Sequence, residues 1–162
     1  MKQSIYLFLC LLFIATGCDK GLAPPPPQPS IEGKVRFLSE WPHKDSLGNR
    51  FLVLALAKVP PPYAAPQLLA GVFDGTVLTV IPTFNYGTRD TNFYFELDTG
   101  TYYYLGVAQQ FGGDVNKDWR VLGFAHDELD SARVFHIGVN DHIKDNLIDV
   151  RFDSLPRQPF IK

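Results

Sequence analysis

The densest group of residues that could do acid–base or metal chemistry lies between positions 126 and 136. His126 and His136 flank a short acidic run that contains Glu128. Imidazole and carboxylate groups exchange protons near neutral pH and also bind metal ions. If residues 120–125 and 133–137 pair as a hairpin, the register decides whether the histidines share a face. Two interpretations stay open: a hydrolase or metal site around these three residues, or a solvated loop.

The loop Asp114-x-Asn116-x-Asp118 is a second candidate site. Oxygen ligands at alternate positions of a tight loop can converge on a hard cation such as calcium. The continuation does not fit a helix–loop–helix calcium site, because Trp119 replaces the required glycine and Ala125 the required glutamate. We therefore keep a looser metal loop as one hypothesis, beside a polar turn whose side chains bond to their own backbone.

Several classes of function find no support in the sequence. No nucleophile elbow, phosphate-binding loop or dinucleotide motif occurs. Cysteine is absent after Cys18, which excludes disulfides, zinc thiolate sites and cysteine nucleophiles from residues 31–162. The formal net charge is -2, whereas nucleic-acid binding calls for a basic face. We expect a protein without enzymatic activity, cofactor or nucleic-acid partner.

Aromatic residues supply the candidates for ligand binding. Trp41 and Trp119 fall at predicted loops or strand ends, where sandwich folds place their binding surfaces. Together with Tyr104 they could stack on the face of a sugar, which would make the domain a carbohydrate-binding module. The alternative is that these rings close the ends of the hydrophobic core.

The elements that must position these residues are strands, because alternation with period two dominates from residue 31 onward and no long segment shows a helical period. Residues 31–37 have one apolar and one polar face, whereas residues 51–59 and 101–109 are apolar on both faces and predict central strands. Further strands are predicted at 76–81, 93–97, 120–125, 133–137 and 148–152, with one helical turn at 128–132.

Seven to eight short strands with regular turn signals predict an all-β Greek-key sandwich over residues 31–162. The motifs that carry a resemblance are Ile31-x-Gly33-x-Val35, Phe93-x-Phe95-x-Leu97-x-x-Gly100-x-Tyr102, Leu105-x-Val107-Ala108 and Ile148-Asp149-Val150. This pattern resembles the transthyretin-like or carboxypeptidase regulatory-like family, which shares its sandwich architecture with Ig-like domains. The resemblance implies a non-enzymatic binding, adhesion or spacer domain. The prolines after the second strand depart from the compact family pattern, so the strand order stays open.

The first residues have the features of an export signal. A positive start precedes an apolar run at 5–15, which is shorter than the roughly 20 residues that span a bilayer. Ala15-Thr16-Gly17-Cys18 resembles the lipobox of bacterial lipoproteins. That resemblance implies that residues 1–17 are removed and that the Cys18 sulfur carries lipid. The alternative is an ordinary secretory signal that leaves Cys18 a free thiol.

Residues 18–30 form the predicted link between lipid and domain. Four consecutive prolines, 24–27, favour an extended polyproline helix that rises about 3.1 Å per residue. We expect an envelope lipoprotein held by Cys18 in the outer membrane, on its periplasmic side or at the cell surface. Its β-sandwich would be a non-catalytic binding or structural module, whose partner is membrane lipid and either a glycan or an envelope protein.

Overall fold

The computed structural model describes residues 27–44, 52–80 and 84–160. The predicted signal peptide at 1–17, Cys18 and most of the predicted proline-rich link lie outside the described residues. The elements are β1 (Ser30–Phe37), β2 (Leu52–Ala57), α1 (Ala65–Asp74), β3 (Val77–Val80), β4 (Asp90–Glu96), β5 (Gly100–Tyr102), β6 (Tyr104–Gln110), β7 (Trp119–Phe124), β8 (Phe135–Ile137) and β9 (His142–Val150). Within these ranges, the helix is too short to cross a bilayer.

The predicted all-β sandwich is confirmed. One sheet has the order β4-β1-β9, and a second has the order β3-β2-β6-β7. The remaining strands, β5 and β8, pair with each other. The strand order, which the sequence left open, includes one parallel pair, β1 with β9. The Greek-key connection stays a prediction.

The main core lies between the two large sheets. It takes alternate residues from strands of both, as the period-two pattern predicted. Its fully buried members on the strands of these two sheets are Ile31, Val35, Leu54, Leu56, Leu105, Val107, Leu122, Ile148 and Val150. The two strands predicted to be central, β2 and β6, occupy the middle of the four-stranded sheet.

The glycine of the opening motif allows β1 to approach β9. A Cβ at Gly33 would lie far inside van der Waals contact with the backbone oxygen of Asn146. The register of β9 against β1 shifts at this point, and Asn146 is buried there. Its side-chain amide donates to the Glu32 carbonyl at 2.9 Å, which ties the irregular part of the ladder together.

The strand predicted at 101–109 is two strands. The chain leaves β5, which pairs with β8, and enters β6 of the four-stranded sheet after Tyr103, whose amide donates to the Ala57 carbonyl at 2.8 Å. Before the break, the fully buried Tyr102 donates its hydroxyl to the Asp98 carbonyl at 3.1 Å. That bond fixes the corner where the chain changes sheet.

The helix α1 was missed by the sequence analysis, which found only strand-like periodicity. Pro66 stands in its first turn, and Gly75 ends it with φ 79°, two signals that are typical of helix boundaries. Its apolar residues Leu68, Leu69 and Val72 have helical spacing, but the run covers fewer than three turns. The prolines before it favoured a loop.

Candidate ligand-binding groove

The outer face of the four-stranded sheet, opposite the main core, is the candidate functional site. Beside Val53 and Tyr104, the residues of β2 and β6 that point to this face are small, namely Ala55, Ala57, Gly106 and Ala108. Because these side chains are short, α1 does not fill the space above them. A cavity of about 230 Å³ remains between the helix and the sheet, and we call it the groove.

The packing of α1 on β3 forms one side of the groove. A Cβ at Gly71 would lie 2.7 Å from the Val77 side chain, so the helix can approach this close only with glycine there. Leu68 and Leu69 then line the groove from above. The helix is thereby fixed at one edge of the sheet and leaves the centre uncovered.

The C-terminal segment forms the opposite side. The Gln158 side-chain amide accepts from the Val121 amide at 2.8 Å and donates to the Val121 carbonyl at 3.0 Å. It thus acts as an extra strand residue at the edge of β7. The Tyr63 amide donates to the Pro159 carbonyl at 2.8 Å, which places Phe160 in the lining of the groove.

Two buried tyrosines stand at the end of the groove, and only one has a partner for its hydroxyl. Their rings, Tyr63 and Tyr104, meet edge to face with centroids 5.9 Å apart. The Tyr63 hydroxyl donates to the Val59 carbonyl at 2.9 Å. Among the described residues, the Tyr104 hydroxyl is the one buried side-chain polar group without a hydrogen-bond partner. The Tyr104 side chain therefore brings an unused donor into an apolar wall.

Both tyrosines resist ionisation. Burial raises the pKa of Tyr63 well above its ordinary value. Burial also raises the pKa of Tyr104, and the neighbouring Tyr63 adds to that rise. The Tyr104 hydroxyl consequently stays protonated, and so stays a donor, at neutral and mildly alkaline pH.

A second, wider cavity of about 1180 Å³ adjoins the groove. The two cavities share Tyr104, Trp119, Pro159 and Phe160, whereas Asp130 and Arg157 line only the second. An apolar space thus borders a polar one, and Tyr104 belongs to the wall between them.

The aromatic candidates separate into two places. Trp119 and Tyr104 both line the groove. Trp41 instead packs on Phe37 and Phe152, with ring centroids 4.5 and 5.1 Å away, and its indole donates to the Thr88 carbonyl. The structure therefore joins two of the three predicted ligand-binding residues and places the third at the edge of the main core.

The candidate calcium loop is a hydrogen-bonded turn. The Asp118 carboxylate accepts from the Asp114 amide at 2.8 Å, and the Asp114 carboxylate accepts from the Asn116 amide at 2.9 Å. These oxygens are thus engaged with the backbone of their own loop. In the three described ranges, no group of three His, Cys, Asp or Glu residues is placed to hold a metal ion.

The two histidines of the candidate cluster do not lie on a common hairpin. Strand β7 pairs with β6 and β8 pairs with β5, so the hairpin considered above does not form beyond a single bridge, His126 to Ala132. His136 Nδ1 lies 3.2 Å from the Thr101 hydroxyl. Glu128 is exposed, and the predicted helical turn around it is a non-helical turn. No hydrogen bond or ion pair joins the three candidate residues within the described part of the chain.

A serine–histidine pair that the sequence did not indicate lies at the start of β1. The Ser30 hydroxyl is 2.8 Å from His142 Nδ1, and the two residues are neighbours across the β1–β9 ladder. Only 4% of Ser30 is exposed, so a substrate could not reach its hydroxyl. The pair joins the ends of two strands.

The small residues on β2 and β6 are the part of the site that sequence reasoning missed. The alternation of Ala55, Ala57, Gly106 and Ala108 was a usable signal, because strands that are apolar on both faces with small residues on one leave room there. Searches of protein-family models, curated proteins and solved structures found no match to this chain. The function is therefore argued from geometry.

Proposed function

We propose that this chain is a lipid-anchored protein of the bacterial envelope, held by Cys18, whose β-sandwich is a non-catalytic binding module for a small apolar ligand. The groove under α1 is the observation that carries the proposal. It has a volume of about 230 Å³, an almost wholly apolar lining and an opening to solvent through which a small molecule could enter.

The size and lining of the groove indicate the ligand. An apolar cavity of about 150 Å³ stays dry and binds benzene, and the groove is larger than that. It lies somewhat below the roughly 300–1,000 Å³ of pockets for drug-sized molecules. A compact apolar molecule therefore fits it, and such a molecule would bind by leaving water for a cavity that water does not fill well.

The chemistry of the lining supports binding over catalysis. The described lining residues include no His, Asp, Glu, Lys or Cys. The two tyrosines there have raised pKa values, which makes them poor bases and poor acids near neutral pH. The lining can hold a ligand but has no group suited to proton transfer.

The other candidate functions have less support. A carbohydrate-binding module needs aromatic platforms on one surface, and Trp41 lies apart from Trp119 in a half-buried cluster. A hydrolase around His126 and His136 needs side chains that converge, but His136 lies on β8, which pairs with β5, whereas His126 follows the end of β7 and bridges Ala132. Binding to a glycan array that is lost in Trp119→Ala would support the carbohydrate-binding module instead.

The anchor is tested by labelling. We expect radiolabelled palmitate to enter the full chain in a bacterial host and Cys18→Ala to abolish the label. A product that begins before residue 18, or that stays in the aqueous phase after detergent partition, would contradict the anchor.

The groove is tested with a fluorescent apolar probe, phenylnaphthylamine, on the full chain anchored to phosphatidylcholine vesicles, with protein-free vesicles as blank. Ala55→Leu fills the floor of the groove, while Ala70→Leu makes the same change on the exposed face of α1. We expect Ala55→Leu to weaken probe binding about tenfold, or about 1.4 kcal/mol, and Ala70→Leu to leave it unchanged. Equal binding by both variants would refute the site.

A further inference from the structure

We propose that Phe73, Leu129 and Val139 form a membrane-docking surface at the end of the sandwich where β1 begins at Ser30, and that these three side chains insert into the bilayer interface. We call this end the entry end. The inference rests on the proposed function, because it needs the lipid anchor at Cys18. It adds a second contact with the membrane, made by the domain itself.

The three side chains stand out by their exposure. Among the described residues, Phe73 is 91% exposed, Leu129 85% and Val139 74%, whereas the next large apolar side chain, Tyr94, is 51% exposed. Single exposed apolar residues are normal in soluble proteins, but a group of them at one place marks an interaction surface. The positions of their loops decide whether these three form such a group.

Phe73 lies at the entry end, because a series of contacts connects it to the start of β1. The amide directly before Asp98 donates to the Pro29 carbonyl at 2.8 Å. The Asp98 carboxylate pairs with Lys58 Nζ at 3.3 Å. The Lys58 amide donates to the Thr76 carbonyl at 2.8 Å, and Thr76 closely follows α1, whose last turn contains Phe73.

The other two side chains lie on connections at the same end. Val139 belongs to the turn between β8 and β9, and the Asp141 carbonyl in that turn accepts from the Ser30 amide at 2.8 Å. Leu129 lies in the loop that follows β7. Strand β7 ends beside the first part of β6, which pairs with the end of β2, and Lys58 follows β2 directly. All three apolar side chains are therefore at the end where the link to the lipid enters.

The aspartates beside these side chains are turned toward the backbone. The carboxylates of Asp74, Asp127 and Asp141 each accept a hydrogen bond from a backbone amide of their own turn, at 2.9, 2.9 and 2.6 Å. Each bond holds the carboxylate near the backbone, while the apolar side chain of the same turn stays exposed. The apolar groups can thus enter a bilayer interface while these three charges stay bonded to the domain.

A bilayer fits this surface better than a second protein does. Three separate side chains bury too little area for a stable protein interface. Even an aromatic ring contributes only about 150–250 Å², whereas a standard interface takes about 800 Å² from each partner. A bilayer has no such minimum, because each apolar side chain inserts independently of the others.

The link makes a small apolar surface sufficient. Residues 19–29 lie between Cys18 and Ser30, and even a fully extended chain of this length spans only about 40 Å. The entry end therefore stays close to the bilayer whenever the anchor is inserted. At the high effective concentration that such a link imposes, a weak contact becomes occupied.

The test uses the acylated full chain on phosphatidylcholine vesicles that contain a doxyl-labelled lipid, which quenches fluorophores inside the bilayer. Because Cys18 carries lipid and no cysteine follows it, a cysteine introduced into the domain is the thiol that takes up the fluorophore NBD. Phosphatidylcholine has no net charge. It avoids repulsion by Glu128 and Asp130, which are exposed beside Leu129.

The dye is compared at matched positions on the two ends of the sandwich. Val139→Cys and Leu129→Cys label the entry end. Val115→Cys and Leu38→Cys make the same changes at the opposite end, after β6 and after β1, where the original side chains are also exposed. We expect the doxyl lipid to quench the dye at the entry end and to leave it unquenched at the opposite end.

The possible failures are distinguishable. A chain that floats with the vesicles but shows no quenching, or equal quenching at both ends, overturns the docking surface and leaves the anchor in place. Emission that shifts to the blue without quenching shows burial against protein and overturns the bilayer as the partner. A chain that does not float with the vesicles overturns the anchor and this inference together.

A second measurement tests the native side chains. With the dye at residue 139, Phe73→Ser combined with Leu129→Ser should lower the ratio of docked to undocked chain about tenfold for each side chain removed, and quenching should be lost. Leu38→Ser, a matched change at the opposite end, should keep it. These positions are exposed, so we expect the fold to tolerate the changes. Full quenching in the double variant would show that these side chains do not dock the domain.

Discussion

The two buried tyrosines make a sharp test of the structure, because the same substitution should have opposite effects at neighbouring positions. Tyr104→Phe removes a hydroxyl that is buried without a partner. Burying such a group costs about 1–3 kcal/mol, so its removal should raise the free energy of unfolding by about 1 kcal/mol or more. The ring stays, and with it the contacts to Tyr63 and Phe124.

Tyr63→Phe removes the hydroxyl of a second buried tyrosine, one that donates to the Val59 carbonyl at 2.9 Å. The loss of that bond leaves the carbonyl unpaired and should lower the free energy of unfolding by about 1 kcal/mol. The two variants should therefore differ by about 2 kcal/mol. The volume removed is the same at both positions, so packing cannot account for the difference.

The measurement is urea unfolding of the full chain on phosphatidylcholine vesicles, followed by tryptophan fluorescence. Comparison of midpoints at equal slope gives the difference in stability. The double variant should fall near wild type if the effects add. Destabilisation by Tyr104→Phe as large as that by Tyr63→Phe would mean that Tyr104 has a partner in the folded state, and the reasoning about the groove would fail with it.

Three further predictions follow from the fold. The pKa values of Tyr63 and Tyr104 are raised above the ordinary value of about 10. The free energy of unfolding should therefore be constant below pH 10 and fall above it by about 1.4 kcal/mol per pH unit for each tyrosine. In urea midpoints measured against pH, each Tyr→Phe change should remove one such contribution. Gly33→Ala should lower the free energy of unfolding by at least about 2 kcal/mol, because its Cβ would meet the Asn146 backbone oxygen; a change under about 0.5 kcal/mol would place β9 elsewhere. Gly71→Leu should displace α1 from β3, lower the free energy of unfolding by about 1–3 kcal/mol and weaken phenylnaphthylamine binding. Unchanged binding would mean that the probe site does not depend on where the helix lies.

Much of the fold could be predicted from the sequence, because a strand that buries one face records that face in every second residue. The alternation at 31–37 became β1, and the two segments that are apolar on both faces became the central strands β2 and β6. The helix α1 was missed because its apolar spacing covers too few turns to stand out beside prolines.

The candidate site was predicted only in part. Trp119 was selected as an aromatic residue at a predicted loop or strand end and Tyr104 as a ring that could stack beside it, and both line the groove. Trp41 was grouped with them by residue type, but its position follows from the packing of β1 against Phe152. The histidines were linked by an assumed hairpin, but β7 pairs with the preceding strand, β6, and β8 pairs with β5, about 35 residues earlier in the chain.

By itself, the sequence determined the strands, the sandwich class and the residue types available for binding, since these depend on local alternation and composition. The tertiary structure alone decided which strands pair, where α1 lies and whether a hydroxyl finds a partner. Those outcomes depend on contacts between residues far apart in the chain, and a local pattern does not encode them. The unpaired hydroxyl of Tyr104 exists only because β6, the region around Tyr63 and the end of β7 meet at one place.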